Sequence, residues 1–168
     1  MKPRFLILCA CASTALGWSV RAQNSPQALS REWWVGGGTI DVLDNTDRHW
    51  SAAVEYRFDP WRWNLRPWLG ATYAEEQTYL LSAGLVFTWP TRSGLHFSVG
   101  WAPSYYHRGG GKNLGSDFEF YSFGEIGYTF KNRHSLNLRF GHVSNAGLKS
   151  YNPGTELLEL GYSIPLGK

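Results

Sequence analysis

The segment from Leu95 to Trp101 reads Leu-His-Phe-Ser-Val-Gly-Trp, with an apolar side chain at every second position and a polar or small one between. Successive side chains on a strand point to opposite faces, so this segment is a β-strand with one apolar face and one polar face. The same period recurs along the chain. Ala52, Val54, Tyr56 and Phe58 form one apolar row, Leu81, Ala83, Leu85, Phe87 and Trp89 a second, and Leu158, Leu160, Tyr162 and Ile164 another. The opposite rows carry Glu55, Arg57, Glu119, Glu125 and Arg139. With charges this closely spaced, no stretch reaches the roughly 20 apolar residues of a membrane-spanning helix. Alternating segments of about ten residues with aromatic ends are instead the mark of a transmembrane β-barrel. A soluble β-sandwich is the competing architecture. The Trp and Tyr at the row ends, and the lack of a cysteine staple, favour the barrel. The expected fold class is therefore all-β, an eight-stranded antiparallel transmembrane β-barrel.

Residues 1–22 have the form of a secretory leader. Lys2 and Arg4 precede an apolar core, and Val20-Arg21-Ala22 offers a small-residue cleavage site. A lipoprotein site at Leu8-Cys9-Ala10-Cys11 is the lesser reading of the same stretch. The predicted organisation is a signal peptide over 1–22 and one barrel domain over 23–168. Both cysteines fall in the leader, which leaves the mature chain with no disulfide, no thiolate metal ligand and no cysteine nucleophile. The net charge of +3 also belongs to the leader: without Lys2, Arg4 and Arg21, 13 basic residues face 13 acidic ones. A neutral mature domain argues against a nucleic-acid partner, which would need a basic face.

Eight strands are predicted near residues 32–42, 50–58, 65–73, 79–89, 95–101 and 118–130, then from Leu136 and from Glu156. Gly36-Gly37-Gly38 blurs the first of them. Connections after the even strands are short. Two of those after odd strands, 103–117 and 145–155, are long and are expected to face outward, because barrels of this type keep short turns on the periplasmic side. The apolar faces should meet lipid and the charged faces should line a packed lumen.

The chemistry concentrates in Leu136-Asn137-Leu138-Arg139-Phe140-Gly141-His142-Val143-Ser144-Asn145-Ala146-Gly147, followed by Asn152-Pro153-Gly154-Thr155-Glu156. His142 and Ser144 share the parity of Leu136, Leu138 and Phe140, and Glu156 shares that of Leu158 and Leu160. If the two strands pair, a serine, a histidine and an acid converge on one face of a hairpin. That set can form a nucleophile, its general base and an orienting carboxylate. His-x-Ser alone says little, since His96-Phe97-Ser98 repeats it on the opposite, lumenal parity, where a hydrogen-bonded interior pair is expected. For His142 and Ser144 the bland alternative is polar decoration near a strand end, and for Glu156 an exposed loop carboxylate. His49, His107 and His134 lack partners at metal-ligand spacing, so no metal or cofactor is expected.

The run Gly141-His142-x-Ser144-Asn145-x-Gly147, with Asn152, Gly154 and Glu156 after it, resembles the active-site signature of PagL-type lipid A 3-O-deacylases. The specific match covers this hairpin. The resemblance implies an eight-stranded outer-membrane barrel that hydrolyses one acyl ester of lipopolysaccharide, with Ser144 as nucleophile, His142 as base and Glu156 orienting the histidine. It places Asn145 in the oxyanion hole, reached by a bend at Asn145-Ala146-Gly147, and makes Asn152 a supporting residue. The strand orientation puts the same residues at the outer end of the lipid-facing wall, where the leaflet is lipopolysaccharide, and a shallow groove beside the seventh and eighth strands is the expected seat for an acyl chain. The alternatives are another acyl-ester hydrolase or acyltransferase on outer-leaflet lipids, or a non-catalytic barrel binding an external partner through its loops. Homo-oligomerisation is left open.

Overall fold

The computed structural model describes residues 29–44 and 48–166. Their elements are β1 (Glu32–Ile40), β2 (His49–Arg57), β3 (Leu65–Ala74), β4 (Thr78–Pro90), β5 (Leu95–His107), β6 (Phe118–Thr129), β7 (Ser135–Ser144) and β8 (Thr155–Pro165). Each strand pairs antiparallel with its chain neighbours, and β1 closes on β8 with Glu32 opposite Pro165 and Ile40 opposite Leu157. The result is a closed eight-stranded antiparallel barrel. Closure leaves no unpaired strand edge, which a sheet crossing hydrocarbon requires. The predicted leader and its two cysteines lie outside the described residues.

The alternation in the sequence becomes an inside and an outside. On β7, Leu136, Leu138 and Phe140 are exposed while Ser135, Asn137, Arg139, Gly141 and Val143 are buried. An eight-stranded barrel is just wide enough for side chains to fill its interior. Here that interior combines an apolar cluster around Trp68, Tyr121 and Phe123 with a network of buried charges. Arg139, 0% exposed, is bound bidentately by Glu55, reaches Glu125 Oε2 at 2.8 Å through Nη2, and lies between the rings of Trp34 and Phe123. Arg57 forks onto both oxygens of Glu125 at 3.0 and 2.9 Å. His96 and Ser98 also face inward: the imidazole meets Asn137 Oδ1 at 2.9 Å and the serine hydroxyl meets Thr88 at 3.0 Å.

Two boundaries differ from the sequence reading by two residues or more. The fifth strand does not stop before Pro103 but continues to His107, so the loop to β6 begins at Arg108. Pro103 sits opposite Phe120 of β6, and the ladder to β4 is interrupted between the pairs Ser82–Ser104 and Leu85–Trp101. The missing N–H of the proline thus falls in a gap of the ladder, and the strand survives. The glycine run of β1 is a regular part of that strand, which ends at Ile40 rather than Val42. Trp34 lies flat across the lumenal side there, and a Cβ on Gly36 would stand 2.4 Å from its ring.

Candidate active site

The β7–β8 ladder pairs His142 directly with Glu156. Both side chains point out of the barrel, and His142 Nδ1 meets Glu156 Oε1 at 3.1 Å. The imidazole is 45% exposed while the carboxylate is only 14% exposed, so the acid is shielded and the histidine is open on its far side. Glu156 Oε2 is buried with no hydrogen-bond partner among the described residues. The backbone carbonyl of Glu156 accepts a 2.7 Å bond from Asp41 N–H, which fixes the start of β8 against the end of β1. Ser144 ends β7 on the same outward face as His142, about 7 Å along the strand. Its partner across the β6 ladder is Phe120, and its hydroxyl makes no hydrogen bond among the described residues. Serine, histidine and glutamate therefore stand on one face at the rim of the lipid-facing wall, with the histidine between the other two.

The loop after Ser144 is organised by Asn145, and not in the way the sequence suggested. Asn145 is 0% exposed and turned inward. Its Nδ2 donates to the carbonyls of Leu114 and Tyr151 at 3.0 and 2.9 Å, and its Oδ1 accepts from Gly147 N–H at 3.1 Å and Lys149 N–H at 3.4 Å. With both amide hydrogens held by carbonyls, the side chain is a clamp for the loop and is not directed at an oxyanion beside Ser144. The chain does bend where expected, with Ala146 and Gly147 at φ of 52° and 80°, but the bend carries Asn145 inside. Asn152 supports the same turn by accepting the Asn145 N–H on Oδ1 at 3.0 Å. Its own amide nitrogen makes no hydrogen bond among the described residues.

The family model for lipid A 3-O-deacylases (PagL) matches residues 17–165. The chain belongs to the PagL family. It is 25% identical over 171 residues to lipid A deacylase PagL of Bordetella bronchiseptica, covering 96% of this chain and 94% of that one. A stretch of 59 residues is 44% identical to lipid A deacylase PagL of Pseudomonas aeruginosa, covering 35% of this chain and 34% of that one. Among solved structures, the outer membrane enzyme PagL superposes with a TM-score of 0.64 at 26% identity, over 80% of this chain and 99% of that chain. Neisserial surface protein A superposes with a TM-score of 0.61 at 10% identity, over 81% of this chain and 96% of that chain, and shares the barrel fold.

Within this PagL-family chain, two residues of the site had no assigned role in the sequence reading. Ser122 of β6 pairs with His142 from the other side, a polar break in an apolar wall. Gly154, at φ 67°, packs on the imidazole, and a Cβ there would stand 2.7 Å from His142 Cε1 and 3.2 Å from Nε2. Gly154 belonged to the motif, but only the folded hairpin shows that its missing side chain leaves room for the ring. Gly154→Ala is expected to displace the imidazole by a fraction of an ångström to an ångström and to lower turnover by about 10²-fold. Turnover of the refolded variant at parental level would show that the ring tolerates the methyl.

The outer wall is hollow on another side of the barrel. A groove of about 570 Å³ crosses the faces of β1 to β6, between Phe118, Tyr105 and Pro103 at one end and Tyr56 and Trp33 at the other. Ser144 is aligned with it. The ladder runs from Ser144 to Phe120, from Phe120 to Pro103, and further on from Ala83 to Leu69, Tyr56 and Trp33. Small side chains at Ala71, Ala83 and Pro103 make the floor.

Proposed function

We propose that this protein is an outer-membrane esterase that removes the 3-O-linked hydroxyacyl chain of lipid A, using Ser144, His142 and Glu156. The observation that carries the reading is the 3.1 Å contact between His142 Nδ1 and Glu156 Oε1 on the lipid-facing rim, with Ser144 next on the same face. Glu156 holds the Nδ1–H tautomer, which leaves Nε2 basic towards Ser144. His142 takes the proton from the Ser144 hydroxyl as Oγ attacks the ester carbonyl. It then returns that proton to the sugar oxygen as the C–O bond breaks. A water, deprotonated by the same imidazole, cleaves the acyl-enzyme and releases the 3-hydroxy fatty acid.

Half-shielding by lipid lowers the local dielectric and strengthens the stabilisation of the imidazolium by Glu156. Because Asn145 is committed to the loop, the oxyanion is assigned to donors around the bend: backbone N–H groups and the amide of Asn152, held by its contact with Asn145. The groove descending from the neighbourhood of Phe118 and Pro103 would take an acyl chain without lifting the lipid from its leaflet.

Mass spectrometry of lipid A from cells with and without the protein tests the reading. The expected result is loss of one 3-hydroxyacyl mass in the presence of the parent protein; unaltered lipid A beside a folded, heat-modifiable barrel would overturn it. Glu156→Gln is expected to lower the rate by about 10² to 10⁴, less than the loss of Ser144, because the acid orients the base without bonding to substrate. Parental activity in that variant would remove Glu156 from the mechanism.

A further inference from the structure

The loop that leaves Ser144 carries one charge. Residues 145–154 hold Lys149 and no acid. The backbone of Lys149 is tied into the site, since its N–H donates to Asn145 Oδ1 at 3.4 Å and Asn145 directly follows the candidate nucleophile. On either side of it stand Leu148, 63% exposed, and Tyr151, 57% exposed. A lysine between exposed apolar and tyrosine side chains is typical of the boundary between headgroups and acyl chains, where the stem lies in hydrocarbon and the ammonium reaches the polar layer.

The other cations of the outer loops are otherwise engaged. Lys112 Nζ bridges Asp41 Oδ1 and Asp44 Oδ2, both at 2.7 Å, and burial's pull on its pKa is outweighed by these two hydrogen bonds, which raise it. Arg48 donates to the Val42 carbonyl at 2.6 Å and Arg108 to the Gly111 carbonyl at 2.8 Å. The Lys149 ammonium has no ion pair or hydrogen bond among the described residues. One cation unpaired among the described residues thus stands on the loop that the buried Asn145 clamps beside Ser144.

We propose that Lys149 binds a phosphate on the sugar headgroup of the substrate, and so makes the Ser144 site select phosphorylated glycolipids over uncharged ones. This rests on the deacylase reading of the same site and names the headgroup chemistry that the site reads. Lipid A presents phosphate esters on its glucosamine units, a short distance from the ester to be cut. Lysine serves such a group as a point charge with several donors. Lys149 is a specificity residue: it would anchor the headgroup while the groove receives the chain, and it takes no part in the proton transfers.

The test compares lipid A lacking core sugars with the same lipid A after dephosphorylation, in mixed micelles with a zwitterionic detergent. Lys149→Ala is expected to raise KM on the phosphorylated form by about tenfold, in line with a hydrogen bond to a charged group, to leave kcat unchanged, and to act like the parent on the dephosphorylated form. Lys149→Arg should restore the preference, and added salt should narrow the gap between parent and Lys149→Ala. Equal losses on both substrates would assign Lys149 a structural role and overturn the proposal.

A binding measurement in the Ser144→Ala background separates this from the fate of the catalytic reading. Phosphate-dependent binding that falls with Lys149→Ala supports the Lys149 contact even where the parent releases no acid. Binding indifferent to phosphate overturns it even where the parent is an active esterase.

Discussion

Ser144→Ala and His142→Asn are each expected to abolish release of a 3-hydroxy fatty acid from lipid A, while Ser98→Ala and His96→Asn leave it intact. The two pairs share composition and spacing and differ only in which side of the wall they occupy. Ser144 and His142 point to lipid at the strand end, and the barrel should insert without them. Ser98 and His96 are buried in the lumen, bonded to Thr88 and to Asn137. Losing them should cost about 1 to 3 kcal/mol of stability through unpaired lumenal groups. The measurement is fatty-acid release from refolded variants, each checked for heat-dependent gel mobility. An essential Ser98 beside a dispensable Ser144 would refute the assignment of faces, and with it the lipid-side site.

Arg139→Ala is expected to have the largest effect on the fold. The guanidinium is held by Glu55 and Glu125, lies 3.6 Å from Glu159, and is sandwiched between Trp34 and Phe123. Removing it leaves buried carboxylates facing one another with Arg57 as the remaining guanidinium among them. Breaking a buried charge network by taking out one member costs about 3 to 5 kcal/mol. Urea unfolding of the refolded barrel, followed by tryptophan fluorescence, reads this directly. A change below about 1 kcal/mol, the size of an exposed pair, would mean that water reaches the network.

The barrel was legible because its signal is periodic. Leu136, Leu138 and Phe140 on one side and Asn137 and Arg139 on the other place themselves inside or outside by parity, and the described structure keeps that assignment along β7. The same parity brought His142, Ser144 and Glu156 to one face. What parity could not supply was anything set by tertiary contact. Pro103 looks like a strand breaker until the ladder beside it proves to have a gap. Asn145 lies past the last regular residue of β7, so its direction depends on the bend, on the carbonyl of Tyr151 in its own loop and on that of Leu114, distant in the loop between β5 and β6. Gly154 reads as one more turn glycine, and its contact with the imidazole exists only when β7 and β8 are paired.

The outward direction of His142 and Ser144 changes what substrate concentration means for such a protein. An enzyme with an interior pocket samples solute per volume of water. Here the candidate nucleophile stands on a wall bathed by the leaflet, so the quantity that governs encounter is the mole fraction of lipid A in that leaflet, and approach is lateral diffusion in two dimensions. Diluting the suspension with buffer would leave the rate per enzyme unchanged, whereas diluting the leaflet with inert lipid or detergent would lower it. The outer membrane is then the solvent of the reaction as well as its location.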